Sequence, residues 1–255
     1  MDIGKYLLYQ PLFNVLVFLS FLFSGNLGIA IIVLTILIRL VLFPSFKKTL
    51  EISRAQQDLQ PKIDELRKEH KNDKQKQSGE MMKLFQENKV NPFSSCLPTI
   101  VQLIILISLY SVLREGISVE MFDEHLWSFI PRPDQIHTHF LIFDLTKHDL
   151  WILPTLAGGF QLIQSYLMMS RAKSKVTPST QNTLMKNMMY FFPIFTFIIA
   201  RQFPAALALY WTVNTGFSAY QQYLVNHDLD ILMRKNSNKP NKVKLSVKTK
   251  KRSKK

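Results

Sequence analysis

Apolar residues occur in long blocks along this chain, and most of the charged residues lie between the blocks. A soluble domain of this size would instead spread its apolar residues at a period of about 2 or 3.6 along many short elements. A helix that crosses a bilayer needs about 20 mainly apolar residues, since each adds about 1.5 Å across a core of about 30 Å. The pattern therefore predicts an all-α polytopic membrane protein with five transmembrane helices, over residues 26–46, 97–113, 150–170, 184–200 and 203–225.

A shorter apolar block, residues 12–23, lies within the N-terminal segment 1–25. It is too short to cross a bilayer comfortably. The pattern predicts an interfacial helix lying along the membrane surface, and the alternative is a short signal anchor.

Lys and Arg are distributed unequally among the loops. Residues 47–90 hold 11 of them, and the short loop 171–183 holds Arg171, Lys173 and Lys175 with no acidic residue. The loop 114–149 holds three basic residues against seven acidic ones. Because cytoplasmic loops are enriched in Lys and Arg, we expect a multi-pass protein of the cell (plasma) membrane with its N-terminus outside and its C-terminal tail in the cytoplasm.

The tail, residues 226–255, carries most of the net charge of +14, with 11 Lys and Arg between Arg234 and Lys255 and no acidic residue there. This composition predicts a disordered cytoplasmic tail. Three roles stay open: binding ribosomal RNA, binding anionic lipid headgroups, or acting only as a topology signal.

The segment 47–91 has no long apolar run, but it has helical periodicity on both sides of a polar turn at residues 71–74. The pattern predicts a cytoplasmic hairpin of two antiparallel helices whose apolar stripes pack together. The stripes consist of Leu59, Ile63 and Leu66, and of Met81, Met82 and Phe85. The two methionines could bind unfolded apolar segments of other proteins, or they could only close the hairpin.

Arg39 lies inside the first apolar block, and none of the 18 acidic residues lies in a predicted span. A central arginine costs at least about 2.5 kcal/mol on insertion scales, so its charge needs compensation. We expect water, backbone carbonyls, lipid phosphate or the carboxylate of a bound protein to supply it. Two interpretations stay open: snorkelling toward the headgroups, and a water-filled cavity that opens toward the cytoplasm.

Four of the five predicted spans carry a stripe of polar residues at helical spacing. Such stripes should face inward, where they either line a hydrophilic groove or hold the helices together by hydrogen bonds. The stripes are Thr35 with Arg39, Thr99 with Gln102, Gln161 with Gln164 and Ser165, and Trp211 with Thr215, Ser218 and Gln222, beside which lies Asn214.

Catalytic chemistry finds little support in the sequence. The spans contain no nucleophile–base pair and no metal constellation, the four His of the loop 114–149 match no familiar ligand spacing, and Cys96 is the only cysteine. We therefore expect no catalytic residue, no metal and no cofactor. A small anion transporter or channel, in which Arg39 binds the anion, is the alternative function.

Five short motifs, in order and on the expected elements, resemble the YidC/Oxa/Alb family of membrane protein insertases, in its short bacterial form. The resemblance covers residues 10–222. The motifs are QPLF at 10–13, IRLVLFP at 38–44, LQPKI at 59–63, NPFSSCLP at 91–98 followed by Gln102, and LYWTVN at 209–214.

The resemblance implies an insertase and folding chaperone with a hydrophilic groove that is open to cytoplasm and lipid and closed on the outer side. It implies that nascent membrane proteins are the partners; a Sec-type translocon, the ribosome and anionic lipids are further candidates. On this basis we expect the substrate groove to be lined by Arg39, Thr35, Gln102, Gln164, Tyr210, Trp211 and Thr215, with Gln161 as a competing match for Gln164.

Overall fold

The computed structural model describes residues 9–88, 90–91, 97–115, 119–169 and 180–237. The all-α prediction is confirmed, since these residues form nine helices and one small two-stranded hairpin. The elements are α1 Gln10–Leu22, α2 Leu27–Val41, α3 Phe43–Glu69, α4 Lys74–Glu87, α5 Leu97–Glu115, α6 Val119–His125, β1 His139–Phe140, β2 Phe143–Asp144, α7 Ile152–Met169, α8 Thr180–Ala200 and α9 Ala205–Ser237.

Helix α1 buries one face in the main core through Phe13, Leu16 and Val17. A turn with positive φ at Gly25 leads into α2, where the side chain of Asn26 accepts a hydrogen bond from the backbone N–H of Ile29. This is the usual N-cap arrangement, and it fixes the point at which α2 starts.

The predicted first span, residues 26–46, runs across a bend. Helix α2 ends at Val41, and α3 begins at Phe43 after the single residue Leu42, at an angle of 59° and with Pro44 in its first turn. By length and composition no single helix in the described part of the chain could cross a membrane alone, whereas α2 and α3 taken together across the bend could. The number of five spans stays a prediction.

Helices α3 and α4 form a hairpin around a small separate cluster of Leu59, Ile63 and Val90, against which Met81 and Phe85 pack. The turn between them ends at Asp73, whose side chain caps α4. Pro61 lies inside α3, which stays helical on both sides of it.

Helices α7, α8 and α9 pack closely because glycines lie where these helices contact one another. A Cβ atom on Gly158 would lie 3.1 Å from the carbonyl oxygen of Pro193 on α8. A Cβ atom on Gly216 of α9 would lie 3.1 Å from the ring of Phe160 on α7. The hydroxyl of Thr212 donates to the carbonyl of Leu153, 3.0 Å away, and joins α9 to the start of α7.

The segment between α5 and α7 folds back over the helix ends. Asn14 of α1 holds it from two sides: its Nδ2 donates to the carbonyl of His125 over 2.9 Å, and its Oδ1 accepts from the N–H of Trp127 over 2.7 Å. Further along, the N–H of Ala206 donates to the carbonyl of Leu145 over 3.0 Å. Helix α1 and the start of α9 are therefore tied to the same segment.

The prediction that the tail is disordered from residue 226 is wrong for its first part. Helix α9 continues through residues 226–237, where no Gly or Pro interrupts it and where Leu229, Ile231, Leu232 and Met233 are helix-compatible apolar residues. The rest of the tail (238–255), most of the loop 171–183, and residues 92–96 of the NPFSSCLP motif lie outside the described residues.

Candidate functional site

Arg39 lies in the last turn of α2 and is half-buried. Its Nε donates to Oδ1 of Asn214 on α9 over 2.7 Å. Its Nη2 donates to Oε1 of Gln102 on α5 over 3.2 Å. The guanidinium thus joins three helices that are far apart in sequence.

Tyr210 completes this network. Nε2 of Gln102 donates to the hydroxyl oxygen of Tyr210, a side chain that is 2% exposed. Tyr210 and Asn214 are four residues apart on α9 and so project from the same face. We call Arg39, Gln102, Tyr210 and Asn214 the arginine network.

The compensation of the Arg39 charge differs from the sequence-based expectation. We expected water, backbone carbonyls, lipid phosphate or a foreign carboxylate, whereas the oxygens that accept from the guanidinium are those of side-chain amides. No carboxylate of the described residues forms an ion pair with Arg39. Amide oxygens satisfy hydrogen bonds but carry no net charge, so the site keeps its positive charge. A guanidinium also offers more N–H donors than these two bonds use.

Two of the predicted groove residues use their hydroxyl groups within their own helices. Thr35 is 1% exposed, and its Oγ1 donates to the carbonyl of Ile31 over 2.6 Å. Thr215 is buried, and its Oγ1 donates to the carbonyl of Trp211 over 2.9 Å. Such back-bonding lets a hydroxyl lie in an apolar environment without a partner from another helix.

The other predicted groove residues that the structure describes are not joined to the arginine network by hydrogen bonds. Trp211 of α9 and both Gln161 and Gln164 of α7 are half-buried. Within the described part of the chain, none of these three side chains is hydrogen-bonded to the arginine network. The side chain of Thr99 lies outside the described residues.

Gln221 is a site residue that sequence reasoning missed. It is buried on α9, and its Nε2 donates to the backbone carbonyl of Arg39 over 3.2 Å. Because α2 ends at Val41, carbonyls of its last turn lose their helical partners, and Gln221 supplies one. The available signal was its position seven residues after Asn214, on the same face of the helix.

A second polar cluster, of which sequence reasoning found only Gln222, lies farther along α9. Asn226 accepts from the guanidinium of Arg54 on α3 and from Nε2 of Gln222, and its Nδ2 donates to the carbonyl of Leu167 on α7 over 3.1 Å. We call Arg54, Gln222, Asn226 and Leu167 the hairpin cluster. It attaches the base of the α3–α4 hairpin to the end of α7 and to α9.

Comparison with known proteins places this chain in a family. Residues 18–233 match the family model described as 60Kd inner membrane protein. The membrane protein insertase YidC of Fusobacterium nucleatum subsp. nucleatum is 35% identical over 214 residues, which are 82% of this chain and 93% of that protein. The membrane protein insertase YidC of Oceanobacillus iheyensis is 38% identical over 209 residues, 80% of this chain and 76% of that protein.

Longer relatives match over only part of their length. The membrane protein insertase YidC of Magnetococcus marinus is 37% identical over 217 residues, which are 85% of this chain and 35% of that protein. The coverage of the shorter relatives supports the short form that the sequence motifs predicted.

Proposed function

We propose that the arginine network of this chain lines a polar groove through which nascent membrane proteins enter the bilayer. The chain belongs to the 60Kd inner membrane protein family. The chain is a membrane protein insertase of the YidC type, and it acts without an enzymatic step. The family prediction made from the sequence motifs is thereby confirmed.

The proposed placement has five spans, formed by the α2–α3 segment and by α5, α7, α8 and α9. A lipid-facing position of α8 is supported by the large apolar residues that it exposes. These are Phe191, Ile194, Phe195 and Ile198. The distribution of Lys and Arg supports an external N-terminus and a cytoplasmic tail. On this placement Arg39, in the last turn of α2, lies toward the cytoplasmic side.

The uncompensated charge of Arg39 carries the proposed mechanism. Asn214 and Gln102 hold the guanidinium in position with neutral oxygens, so it can still attract a carboxylate. An acidic residue in the polar part of a nascent hairpin would exchange some of its hydration for this cation. A charge-assisted hydrogen bond of this type is about twice as strong as a neutral one.

The groove would also shorten the apolar distance that the polar segment has to cross. Meanwhile the apolar segment of the substrate would pass along α9 into lipid. Thr35, Gln164, Trp211 and Thr215 are proposed as the remaining lining of the path. Since no covalent bond forms or breaks, no catalytic residue is needed.

Nascent membrane proteins are the partners that the family implies. The α3–α4 hairpin, with Met82 exposed and Met81 half-buried, is proposed as their first contact on the cytoplasmic side. Association with a Sec-type translocon, with the ribosome through the tail, or with anionic lipids stays a prediction.

The test is complementation of a bacterial host depleted of its own insertase. The readout is protease accessibility of a small membrane protein whose translocated segment is acidic, with a neutral variant of that segment in parallel. We expect the wild-type chain to restore insertion of both, Arg39→Ala to fail with the acidic substrate, and Arg39→Lys to restore most of it. Equal rescue by wild type and Arg39→Ala with the acidic substrate would remove the arginine from the mechanism.

A further inference from the structure

The turn between β1 and β2 presents two large apolar side chains to the surroundings. Leu141 is 83% exposed and Ile142 is 77% exposed, and together they form the whole two-residue turn between the paired residues Phe140 and Phe143. We call Leu141 and Ile142 the hairpin tip. Two-residue hairpin turns ordinarily use Asn, Asp and Gly, which suit both the backbone and water.

The backbone makes this choice of residues more unusual. Leu141 has φ of 52°, and Ser24 is the only other non-glycine residue in the described ranges with positive φ. A positive φ at the first central position is typical of a type II′ turn, where Gly is preferred. A leucine at this position suits neither the turn nor exposure to water, so folding alone does not explain the sequence of the tip.

The base of the hairpin is fixed. The ring of Phe140 packs on Gly28 so closely that a Cβ atom there would lie 2.2 Å from Phe140 Cγ. Behind it, the N–H of Leu27 donates to the carbonyl of His137 over 3.2 Å. On the other side Leu145 is buried, and its backbone is bonded to Thr138. The tip is therefore held out from the surface by a rigid support.

The support places the tip beside the outer ends of helices. Gly28 lies in the first turn of α2, and Leu145 contacts the start of α9. At the same end, Trp151 precedes α7, is 63% exposed and lies 4.6 Å below the guanidinium of Arg201. Trp is enriched where a membrane meets water, so on the proposed placement Trp151 marks the level of the outer interface.

The charge of the loop 114–149 distinguishes among the surfaces that the hairpin tip could contact. The loop 114–149 holds seven acidic and three basic residues. Next to the tip, hydrogen bonds from Thr146 and Lys147 hold the pKa of Asp144 well below its usual range, so this carboxylate is charged at neutral pH. An anionic surface would be repelled, whereas uncharged acyl chains would accept two apolar side chains from a rigid acidic loop.

We infer that the hairpin tip inserts Leu141 and Ile142 into the acyl–headgroup boundary of the outer leaflet and anchors the outer loop to lipid. The exposed apolar surface of α1 ends in Phe21, Leu22 and Phe23, just before the turn at Gly25 that contacts Gln135 and His137 of the same loop. The loop that carries the tip is thus attached to the chain directly after the apolar end of α1. The inference rests on the proposed placement of the helices in the bilayer.

Fluorescence quenching in liposomes tests it. In a Cys96→Ser background, single cysteines at Ile142, Asp134 and Ile194 are labelled with the same environment-sensitive fluorophore and reconstituted in zwitterionic vesicles. Quenchers are iodide in water, a phospholipid with a nitroxide near its headgroup, and one with a nitroxide near its methyl end. Asp134 is an exposed residue of the same loop, and Ile194 is 60% exposed on α8.

We expect the Ile142 label to lose fluorescence mainly to the headgroup-proximal nitroxide, the Ile194 label to the methyl-end nitroxide, and the Asp134 label to iodide. An Ile142 label that behaves as the Asp134 label does, while the Ile194 label is quenched by lipid, overturns the inference and leaves the proposed function intact. Protection from iodide without lipid quenching indicates a protein contact and also overturns it. An Ile194 label that lipid does not quench overturns the placement itself, and the inference with it.

A second variant removes the influence of an apolar label. A fluorophore at His139, on the same hairpin, is compared with and without the double substitution Leu141→Gly and Ile142→Asn, which suits a type II′ turn and should preserve the hairpin. We expect the substitution to shift quenching of the His139 label from the headgroup-proximal nitroxide to iodide. Unchanged quenching of the His139 label would mean that Leu141 and Ile142 do not hold the loop at the membrane.

Discussion

The guanidinium of Arg39 is fixed by Asn214 through a hydrogen bond of 2.7 Å, although 175 residues separate the two in sequence. The bond satisfies a polar group on an otherwise apolar helix without neutralising its charge. A carboxylate at position 214 would have accepted the hydrogen bond and neutralised the charge as well. The choice of an amide therefore leaves the site with the positive charge that the proposed mechanism requires.

Substitution at Asn214 separates the charge of the site from its stability. Asn214→Asp keeps an oxygen opposite Arg39 but cancels the charge, so we expect the midpoint of thermal unfolding in mild detergent to be preserved and insertion of an acidic segment to fall. Asn214→Leu keeps the charge but removes the acceptor, at a cost of about 1–2 kcal/mol. Both variants are assayed with acidic and neutral substrates in the depleted host.

The two substrates make the outcome decisive. Insertion of the neutral substrate by Asn214→Asp at the wild-type level shows that the fold is intact. If that variant also inserted the acidic substrate as well as wild type does, attraction by Arg39 would be excluded as the driving interaction.

Gln221 should contribute to stability through the end of α2. Gln221→Leu preserves approximate volume but leaves the carbonyl of Arg39 without its side-chain donor, so we expect a loss of about 1 kcal/mol. The measurement is thermal unfolding in mild detergent, with hydrogen exchange of the amides on either side of the bend at Leu42. Tyr220→Leu is the matched control, because Tyr220 is exposed on the neighbouring position of α9. Similar losses in both variants would contradict a specific role for the Gln221 amide.

Much of this site could be predicted from sequence, because a cation inside an apolar block is conspicuous wherever it occurs. Arg39 was identified in that way, Gln102 as part of a polar stripe, and Tyr210 only through the family resemblance. The three side chains lie in one hydrogen-bonded network. The identity of the Arg39 acceptor could not be predicted, because polar residues on four helices were available and only the packing of α2 against α9 decides between them. Gln221 and Asn226 were missed for the same reason.

Local structure shows where sequence periodicity is insufficient. The block 26–46 is continuously apolar, and only the Phe-Pro pair at 43–44 indicated the bend that the structure places at Leu42. The end of α9 was misjudged because the charge of the tail was given more weight than its helix-compatible residues before Ser237. In both cases composition alone did not predict the course of the backbone.

The hairpin cluster should control the mobility of the base of α3. Asn226→Ala removes an acceptor of Arg54 and a donor to Leu167, so the contacts through which Asn226 joins α3 to α7 and α9 are lost. We expect faster hydrogen exchange in residues 50–57 and little change in α8, because α8 makes no part of the cluster. His227→Ala is the control, since His227 is the exposed next residue. Unchanged exchange in residues 50–57 would show that apolar packing alone holds the hairpin.

Substitution of two glycines tests whether the β1–β2 hairpin is held rigidly against the helices. A Cβ atom on Gly28 would lie 2.2 Å from Cγ and 2.5 Å from Cβ of Phe140, whereas a Cβ atom on Gly159 would meet nothing within 4 Å. Gly28→Ala must therefore displace the β1–β2 hairpin, at a cost of about 1–3 kcal/mol as for other overpacked sites. Gly159→Ala should be neutral, or stabilising by up to about 1 kcal/mol, because alanine favours a helix more than glycine does. Thermal unfolding in mild detergent compares the two variants, and hydrogen exchange of residues 139–144 should rise in Gly28→Ala alone. Equal unfolding midpoints would mean that Phe140 can leave α2 without cost, and the loop would then not be a rigid closure of the outer side.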